Sequence, residues 1–88
     1  MDFPHALTLI KQGHRVAREG WNGVGMFVFM VPGSQFKVNR PPLLGIYLEG
    51  TDINYNPHLD MKYADGTIGP WTPNDKDLFA TDWYHIYD

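Results

Sequence analysis

The stretch Met26-Phe27-Val28-Phe29-Met30-Val31 is a continuous apolar run, with Gly25 before it and Pro32-Gly33 after it. A short apolar run between residues that interrupt regular structure is typical of a strand, because a buried helix would need about ten or more residues. No polar side chain alternates with the apolar ones. We therefore predict a central strand that is buried on both faces.

The segment before this strand has the spacing of an amphipathic helix. Its apolar residues recur every three or four positions, at Phe3, Ala6, Leu7 and Ile10. Asp2 can cap the first turn, and Pro4 fits within that turn. Gly13 is placed to end the helix in the left-handed conformation. We expect this helix to lie on a sheet.

Further strands are predicted on both sides of the central one. The candidates are residues 14–18, 35–39, 59–63 and 82–87. Arg40-Pro41-Pro42 ends the second of these, because proline cannot donate a hydrogen bond to a sheet. Asp65-Gly66 follows the third and is a strong hairpin signal.

The remaining segments are predicted to be loops and one short helix. Residues 49–57 are polar and are expected to form a loop, whereas residues 43–48 are apolar and fit no single pattern. Thr72, a following proline and an acid at Asp75 have the form of a helix start, and this helix would end near Ala80. The sum is an α+β domain with a mostly antiparallel sheet of about five strands, an N-terminal helix and a short C-terminal helix.

The chain has 88 residues, of which 43% are hydrophobic and 15% are aromatic. This size and composition predict one globular ligand-binding domain over residues 1–88. A domain so small buries only about 60% of its unfolded surface. Thirteen aromatic residues are more than such a core easily holds. We therefore expect some of them to line a ligand pocket or a subunit interface.

Charge is unevenly distributed along the chain. Residues 1–48 carry a net charge of +3 and residues 49–88 a net charge of −6. No broad basic face is evident, which argues against nucleic-acid binding. The sequence contains no run of 18 apolar residues and no N-terminal signal pattern. We therefore expect no membrane association and a location in the cytoplasm.

Catalytic and metal-binding patterns are weak. The chain has no cysteine, and metal-ligand spacing is absent among its four histidines, which are His5, His14, His58 and His85. Ser34 is the single serine and lies in a turn between two strands, not at a nucleophile elbow. The aspartates mostly fall where caps and turns favour them. We predict a protein that is not an enzyme and that uses no metal or cofactor.

Three segments combine an aromatic ring, a cation or an amide with a rigid turn. They are Arg18-Glu19-Gly20-Trp21-Asn22-Gly23, Val38-Asn39-Arg40-Pro41-Pro42 and Gly69-Pro70-Trp71-Thr72-Pro73-Asn74. Such residues can stack on a base, pair with phosphate and bind ribose hydroxyls. Equally, Trp21 can pack over a sheet edge or into a dimer. Trp83 and Phe79 have periodic apolar neighbours and are predicted to be core residues.

The same segments, taken in order, resemble one known family. The ordered set comprises the helix with Ala6-Leu7 and Gly13, then Val16-Ala17-Arg18-Glu19-Gly20-Trp21-Asn22-Gly23, Val38-Asn39-Arg40-Pro41-Pro42-Leu43-Leu44-Gly45, Pro57-His58-Leu59-Asp60-Met61-Lys62, Asp65-Gly66-Thr67, Pro70-Trp71 and Asp77-Leu78-Phe79-Ala80-Thr81-Asp82-Trp83. It is similar to the second type of Thoeris anti-defence protein of phages and prophages. The resemblance covers nearly the whole chain, and the order of the pieces is more specific than any single piece.

The resemblance implies a homo-oligomeric sponge, a tetramer built as a dimer of dimers, in the cytoplasm of the infected bacterial host. It would capture intact the glyco-cyclic ADP-ribose signal of a TIR-domain protein and so block Thoeris immunity. Some relatives also hold cyclic oligonucleotides in separate pockets. Carried onto this chain, the aromatic contacts would be Trp21 and Trp71, and the polar lining would be Arg18, Asn22, Asn39, Arg40 and Asn74. Either arginine would meet the ligand's pyrophosphate at short range, because the chain as a whole is acidic.

Two other functions fit the same composition. An enzyme that degrades the signal would return fragments, and not intact ligand, after heat denaturation. An acidic protein-interaction module, such as a DNA mimic built on residues 49–88, would bind a defence protein tightly and would not bind the nucleotide.

Overall fold

Two helices and seven strands form in a computed structural model that describes residues 1–87. In chain order they are α1 (Phe3–Lys11), β1 (Arg15–Arg18), β2 (Phe27–Val31), β3 (Ser34–Lys37), β4 (Asp52–Tyr55), β5 (His58–Lys62), β6 (Ile68–Pro70), α2 (Asp75–Phe79) and β7 (Trp83–Ile86). None of the described helices is long and apolar enough to cross a membrane.

Five of the strands form one antiparallel sheet in the order β6-β5-β2-β1-β7. The apolar run of residues 26–31 supplies β2, which lies in the centre as predicted. In the register, Val28 is opposite Val16 on β1 and Met61 on β5. The predicted α+β class, with a mostly antiparallel five-stranded sheet, an N-terminal helix and a short C-terminal helix, is confirmed.

Helix α1 covers one face of this sheet. The Asp2 side chain accepts a hydrogen bond from the His5 backbone N–H at 3.1 Å and caps the helix. Gly13 follows the helix end with φ of 92°, the left-handed conformation that glycine adopts without strain. The apolar stripe of α1 packs against inward-pointing residues of the sheet. Together they form the core of Phe3, Ala6, Ile10, Val16, Val28, Met61 and Trp83.

The prediction that the central strand is buried on both faces is wrong. Within β2 only Val28 is fully buried, and its neighbours on the strand are half-buried. Among the described elements, the helix packing onto β2 comes from α1 alone. The large apolar residues on the other side of β2, such as Phe27 and Phe29, are therefore shielded mainly by side chains of adjacent strands and remain partly exposed.

Strands β3 and β4 form a separate two-stranded antiparallel sheet. The prediction of a polar loop over residues 49–57 is therefore wrong, because residues 52–55 pair with residues 34–37 through the main chain. Main-chain pairing does not require apolar side chains, and this strand buries neither face. We call residues 34–55 the arm, and the five-stranded sheet with α1 and α2 the body.

Two predictions for the second helix are also wrong. The helix is capped by Asn74 and not by Thr72, and it begins at Asp75. Asn74 is the preferred N-cap because it forms a reciprocal capping box with Asp77. The two side chains together satisfy two backbone N–H groups. Phe79, predicted to be a core residue, is 83% exposed at the end of this five-residue helix. Trp83 is buried as predicted.

Candidate functional site

Three tryptophans meet at the end of the body where α2 joins the sheet, and we call them the tryptophan cluster. The ring centroids of Trp21 and Trp83 lie 5.3 Å apart, those of Trp21 and Trp71 6.0 Å, and those of Trp71 and Trp83 6.2 Å. All three pairs meet edge to face, a favourable geometry for aromatic rings. Trp21 and Trp71 are half-buried and pack against the core. Both predicted aromatic contacts therefore also serve the fold.

Asp77 connects the elements around this cluster. Its Oδ1 accepts hydrogen bonds from Arg18 Nη1 at 2.9 Å and from Trp21 Nε1 at 3.4 Å, and its Oδ2 accepts one from the Asn74 backbone N–H at 3.0 Å. The Asp77 backbone oxygen accepts a hydrogen bond from Trp83 Nε1 at 2.9 Å. With 5% of its surface exposed, Asp77 is the one polar residue in the buried set of the described chain. It joins β1, the turn after it, α2 and β7.

The Arg18 guanidinium is held by two carboxylates. Its Nε lies 2.8 Å from Asp82 Oδ1, and its Nη1 lies 2.9 Å from Asp77 Oδ1. The hydrogen bond to Asp82 raises the pKa of the Arg18 guanidinium and lowers the pKa of the Asp82 carboxyl. Asp82 also accepts a hydrogen bond from the Gly20 backbone N–H at 2.8 Å, which fixes the turn that carries Trp21. Arg18 is thus already charge-paired within the chain.

The two predicted asparagines of this region differ in their availability. The Asn74 side chain accepts a hydrogen bond from the Asp77 backbone N–H at 2.9 Å and is engaged in capping α2. Asn22 is exposed in the turn after Trp21. Of the seven predicted site residues, the structure therefore gathers five at this end of the body: Arg18, Trp21, Asn22, Trp71 and Asn74.

The other two predicted residues, Asn39 and Arg40, lie in the arm. There they contribute to a groove of about 510 Å³, within the range of about 300–1,000 Å³ that is common for small-ligand sites. The groove is lined by Ser34, Phe36, Lys37, Asn39, Arg40, Pro41, Pro42, Leu43 and Tyr55. Phe36 and Tyr55 lie next to each other with their ring centroids 5.1 Å apart. The groove therefore combines aromatic faces with amide, hydroxyl and cationic groups.

The two cations of the groove are not equivalent. Lys37 Nζ is paired with Asp52 Oδ1 at 2.8 Å across the β3–β4 ladder, and both side chains are largely exposed. Within residues 1–87, no hydrogen bond or ion pair occupies the Arg40 guanidinium, although the Arg40 backbone oxygen accepts a bond from the Leu44 N–H. Arg40 is therefore the cation of the groove that is available to an anionic ligand.

Sequence reasoning missed several of these residues. Phe36 and Tyr55 were not identified as a pair, because the strand that carries Tyr55 lies in a segment predicted to be a loop. The sequence assigned no individual role to Asp77 or Asp82, and their bonds to Arg18 were not predicted. The signal for those bonds is tertiary, since 59 and 64 residues separate the partners.

The histidines do not form a metal centre with the acids of the described chain. His58 Nε2 lies 3.4 Å from Asp60 Oδ1, and that oxygen is buried without a hydrogen bond of good geometry. Around this pair and elsewhere in residues 1–87, no three histidine or acidic side chains converge on one point.

The fold is that of a small α+β protein, and comparison with known families places it in an anti-defence class. Residues 1–86 match the family described as the Tad2-like, Thoeris anti-defense 2-like domain. The chain is also similar to "Thoeris anti-defense 2" of Bacillus phage SP01, with 34% identity over 83 residues that cover 94% of this chain and 91% of that protein.

The chain belongs to the Tad2-like Thoeris anti-defence family. This membership supports a phage anti-Thoeris role and implies interaction with the Thoeris signalling pathway. The name of the family fits a role without catalysis.

Proposed function

We propose that the protein is a sponge that binds glyco-cyclic ADP-ribose and holds it intact, so that the signal does not reach the Thoeris effector. The observation that carries this proposal is the groove of the arm. In it an aromatic pair, Phe36 and Tyr55, lies beside Asn39 and the available guanidinium of Arg40. The protein would act in the cytoplasm of the infected bacterial host.

The chemistry of the ligand matches these groups. A cyclic ADP-ribose has a base that can stack on an aromatic ring, ribose hydroxyls that amides and hydroxyls bind, and a pyrophosphate with two negative charges. Arginine binds phosphate oxygens through two parallel hydrogen bonds, which gives strength and direction. The chain has a formal net charge of −3, so long-range attraction does not favour the ligand. The phosphates must be met by a local cation.

The affinity required for capture exceeds what one open groove supplies. Stacking one base contributes about 1–3 kcal/mol, whereas nanomolar affinity needs about −12 kcal/mol. Additional contacts must enclose the ligand. In one chain the predicted residues fall into two groups, one in the body and one in the arm. We therefore propose that Asn39 and Arg40 of one copy face Trp21, Asn22 and Trp71 of another.

This arrangement requires self-association, and the proposed assembly is a tetramer built as a dimer of dimers. Arg18 and Asn74 would border the pocket and act mainly by holding Trp21 and α2 in place, because both are engaged within their own subunit. Trp21 and Trp71 would present the parts of their rings that the core leaves uncovered.

The experiment is a capture-and-release assay. The protein is incubated with the product of a TIR-domain enzyme, separated from free ligand, and then denatured by heat. A sponge returns a nucleotide with the mass of the intact signal, in an amount that approaches the number of sites. Recovery of fragments would indicate an enzyme. Recovery of no nucleotide would show that the protein does not bind the signal. Either result would contradict the proposal.

Added chelator serves as a second check on the same assay. We expect EDTA to leave the recovered amount of ligand unchanged, because the proposed contacts are arginine, amide and aromatic groups. Loss of capture with EDTA, restored by a divalent cation, would mean that a metal bridges the phosphates.

A further inference from the structure

The formal charges of the arm cancel one another. Between residues 34 and 55 the chain has two cations, Lys37 and Arg40, and two acids, Glu49 and Asp52, so this segment has a net charge of zero. Both cations line the groove, and none of the described residues that line it is acidic. A groove in which both cations were available would bind a highly charged phosphate ligand.

Asp52 makes one of these cations unavailable. It lies directly opposite Lys37 in the β3–β4 ladder, and its Oδ1 is 2.8 Å from Lys37 Nζ. Because successive side chains of a strand point to opposite faces, this pair lies on the face of the ladder away from Phe36. The pair therefore neutralises the lysine and also draws its ammonium away from the aromatic rings of the groove.

The contribution of this pair to folding is small. The side chains of Lys37 and Asp52 are 71% and 79% exposed, and water solvates and screens the charges of an exposed ion pair. Its larger effect is on the electrostatics of the groove. With Lys37 neutralised, Arg40 is the uncompensated cation among the described residues of the groove lining.

Phosphate ligands differ in the charge that a binding site must compensate. In a cyclic ADP-ribose both phosphates are linked on two sides, so each has one negative charge. A nucleoside triphosphate has a third phosphate, and its terminal phosphate takes a second charge near neutral pH. One arginine can bind two oxygens of a pyrophosphate. The remaining charge of a triphosphate would lose hydration in the groove without gaining a cation.

We infer that Asp52 is a specificity-determining residue of the groove. By neutralising Lys37 it restricts the groove to nucleotides whose phosphates are all diesters, and it excludes nucleoside diphosphates and triphosphates. Nucleoside triphosphates are abundant in every bacterial cytoplasm, so a groove without this restriction would be occupied by them. The inference rests on the proposed function, because it takes the groove as the ligand site.

The test compares ATP binding by the wild type and by Asp52→Asn, in calorimetric titrations with EDTA so that no divalent cation masks the phosphates. Asparagine keeps the shape of the side chain and removes its charge. We expect ATP to bind the variant at least tenfold more tightly than the wild type, as one added contact between a cation and a phosphate would give. The thermal midpoint should stay at the wild-type value, because the pair is exposed.

Glu49→Gln is the matched control. Within residues 1–87, Glu49 is exposed and forms no ion pair. Its substitution changes the charge of the arm by the same amount but leaves Lys37 bound to Asp52. The affinity for ATP should rise by less than about threefold, because salt screens an exposed charge that makes no contact. Equal gains in the two variants would overturn the inference, since net charge alone would then explain them.

A double variant tests whether the gain depends on the lysine. Lys37→Met together with Asp52→Asn should return the affinity for ATP to the wild-type level, because the ammonium that binds the added phosphate is gone. A gain that persists without Lys37 would overturn the inference. An unchanged affinity for ATP in Asp52→Asn alone would overturn it as well.

Glyco-cyclic ADP-ribose, titrated into the same proteins, separates this inference from the proposed function. Its affinity for Asp52→Asn should rise less than that of ATP, because Arg40 already binds its phosphates in the wild type. If the wild type does not bind it, the proposed function fails whatever ATP does. If the wild type binds it and Asp52→Asn gains no affinity for ATP, the role of Asp52 alone is overturned.

Discussion

The tryptophan end of the body and the groove of the arm contain the same kinds of residue but use them differently. Each has aromatic rings, an asparagine and an arginine. In the body, the Arg18 guanidinium is bonded to Asp77 and Asp82, and the rings pack on one another and on the core. In the arm, the Arg40 guanidinium has no partner within residues 1–87, and Phe36 and Tyr55 remain a third to a half exposed.

The role of each arginine follows from its neighbours. Two carboxylates within 3 Å already neutralise Arg18, so an anionic ligand would have to compete with them. A free guanidinium next to aromatic faces loses only its hydration when phosphate binds. We therefore expect changes in the body to act first on stability and changes in the arm to act first on binding.

The largest effect on stability should come from Asp77→Ala. The substitution leaves Trp21 Nε1 and the Asn74 N–H without an acceptor and removes one of the two carboxylates that hold Arg18. We expect a loss of about 3 kcal/mol in the free energy of unfolding, since breaking a buried charged network costs about 3–5 kcal/mol. In a domain of this size the thermal midpoint should fall by more than about 10 °C.

Asp75→Ala provides the control for this prediction. Asp75 lies on the same helix, two residues before Asp77, but is exposed. Its loss should cost less than about 1 kcal/mol, the typical size of a helix-dipole interaction. Equal shifts of the thermal midpoint in the two variants would mean that Asp77 does not connect the elements of the body.

A smaller loss of stability is expected for Trp21→Phe. The smaller ring still packs on Trp71 and Trp83 but loses the donor that bonds to Asp77 Oδ1 at 3.4 Å. We expect a decrease of about 1 kcal/mol in the free energy of unfolding, the net contribution of one hydrogen bond. Chemical denaturation measures it. A variant as stable as the wild type would show that the indole N–H adds nothing to the body.

The smallest predicted effect concerns acid. The bond to Arg18 lowers the pKa of the Asp82 carboxyl in the folded protein. The pair therefore contributes its full stabilisation above the unfolded pKa of about 3.9 and loses it as the pH falls through the lower folded value. Thermal midpoints measured from pH 7 to pH 3 should fall at the acid end. Asp82→Asn should make that fall shallower, and an unchanged slope would contradict the assignment.

Most of the body could be predicted from the sequence because its signals are local. The spacing of the apolar residues of α1, the run of β2 and the Asp65-Gly66 turn each depend on residues close together in the chain. The capping box of α2 is local too, but the sequence offers two overlapping helix starts. Asn74 and not Thr72 caps the helix, because the Asp77 side chain also bonds to the Asn74 backbone N–H.

The arm could not be predicted in the same way. Strand β4 alternates polar and apolar residues over only four positions, and none of them is fully buried. Its pairing with β3 spans residues 38–51, so the partner is distant in the sequence. The exposed position of Phe79 was missed because apolar spacing does not reveal which side of a five-residue helix faces the body. For the candidate site, the sequence singled out the segments with Trp21 and Arg40, and their role in binding stays a prediction. Their separation into body and arm, and the capture of Arg18 by Asp77 and Asp82, depend on tertiary contacts.

Calorimetric titration of glyco-cyclic ADP-ribose into matched arginine variants distinguishes a phosphate site in the arm from one in the body. We predict that Arg40→Ala lowers the affinity at least tenfold, or about 1.4 kcal/mol, while its thermal midpoint stays at the wild-type value. We predict that Arg18→Ala lowers the thermal midpoint, and that its folded fraction loses less affinity than Arg40→Ala does. Wild-type affinity in Arg40→Ala, or a larger loss in folded Arg18→Ala, would contradict the account and return the phosphate site to the body.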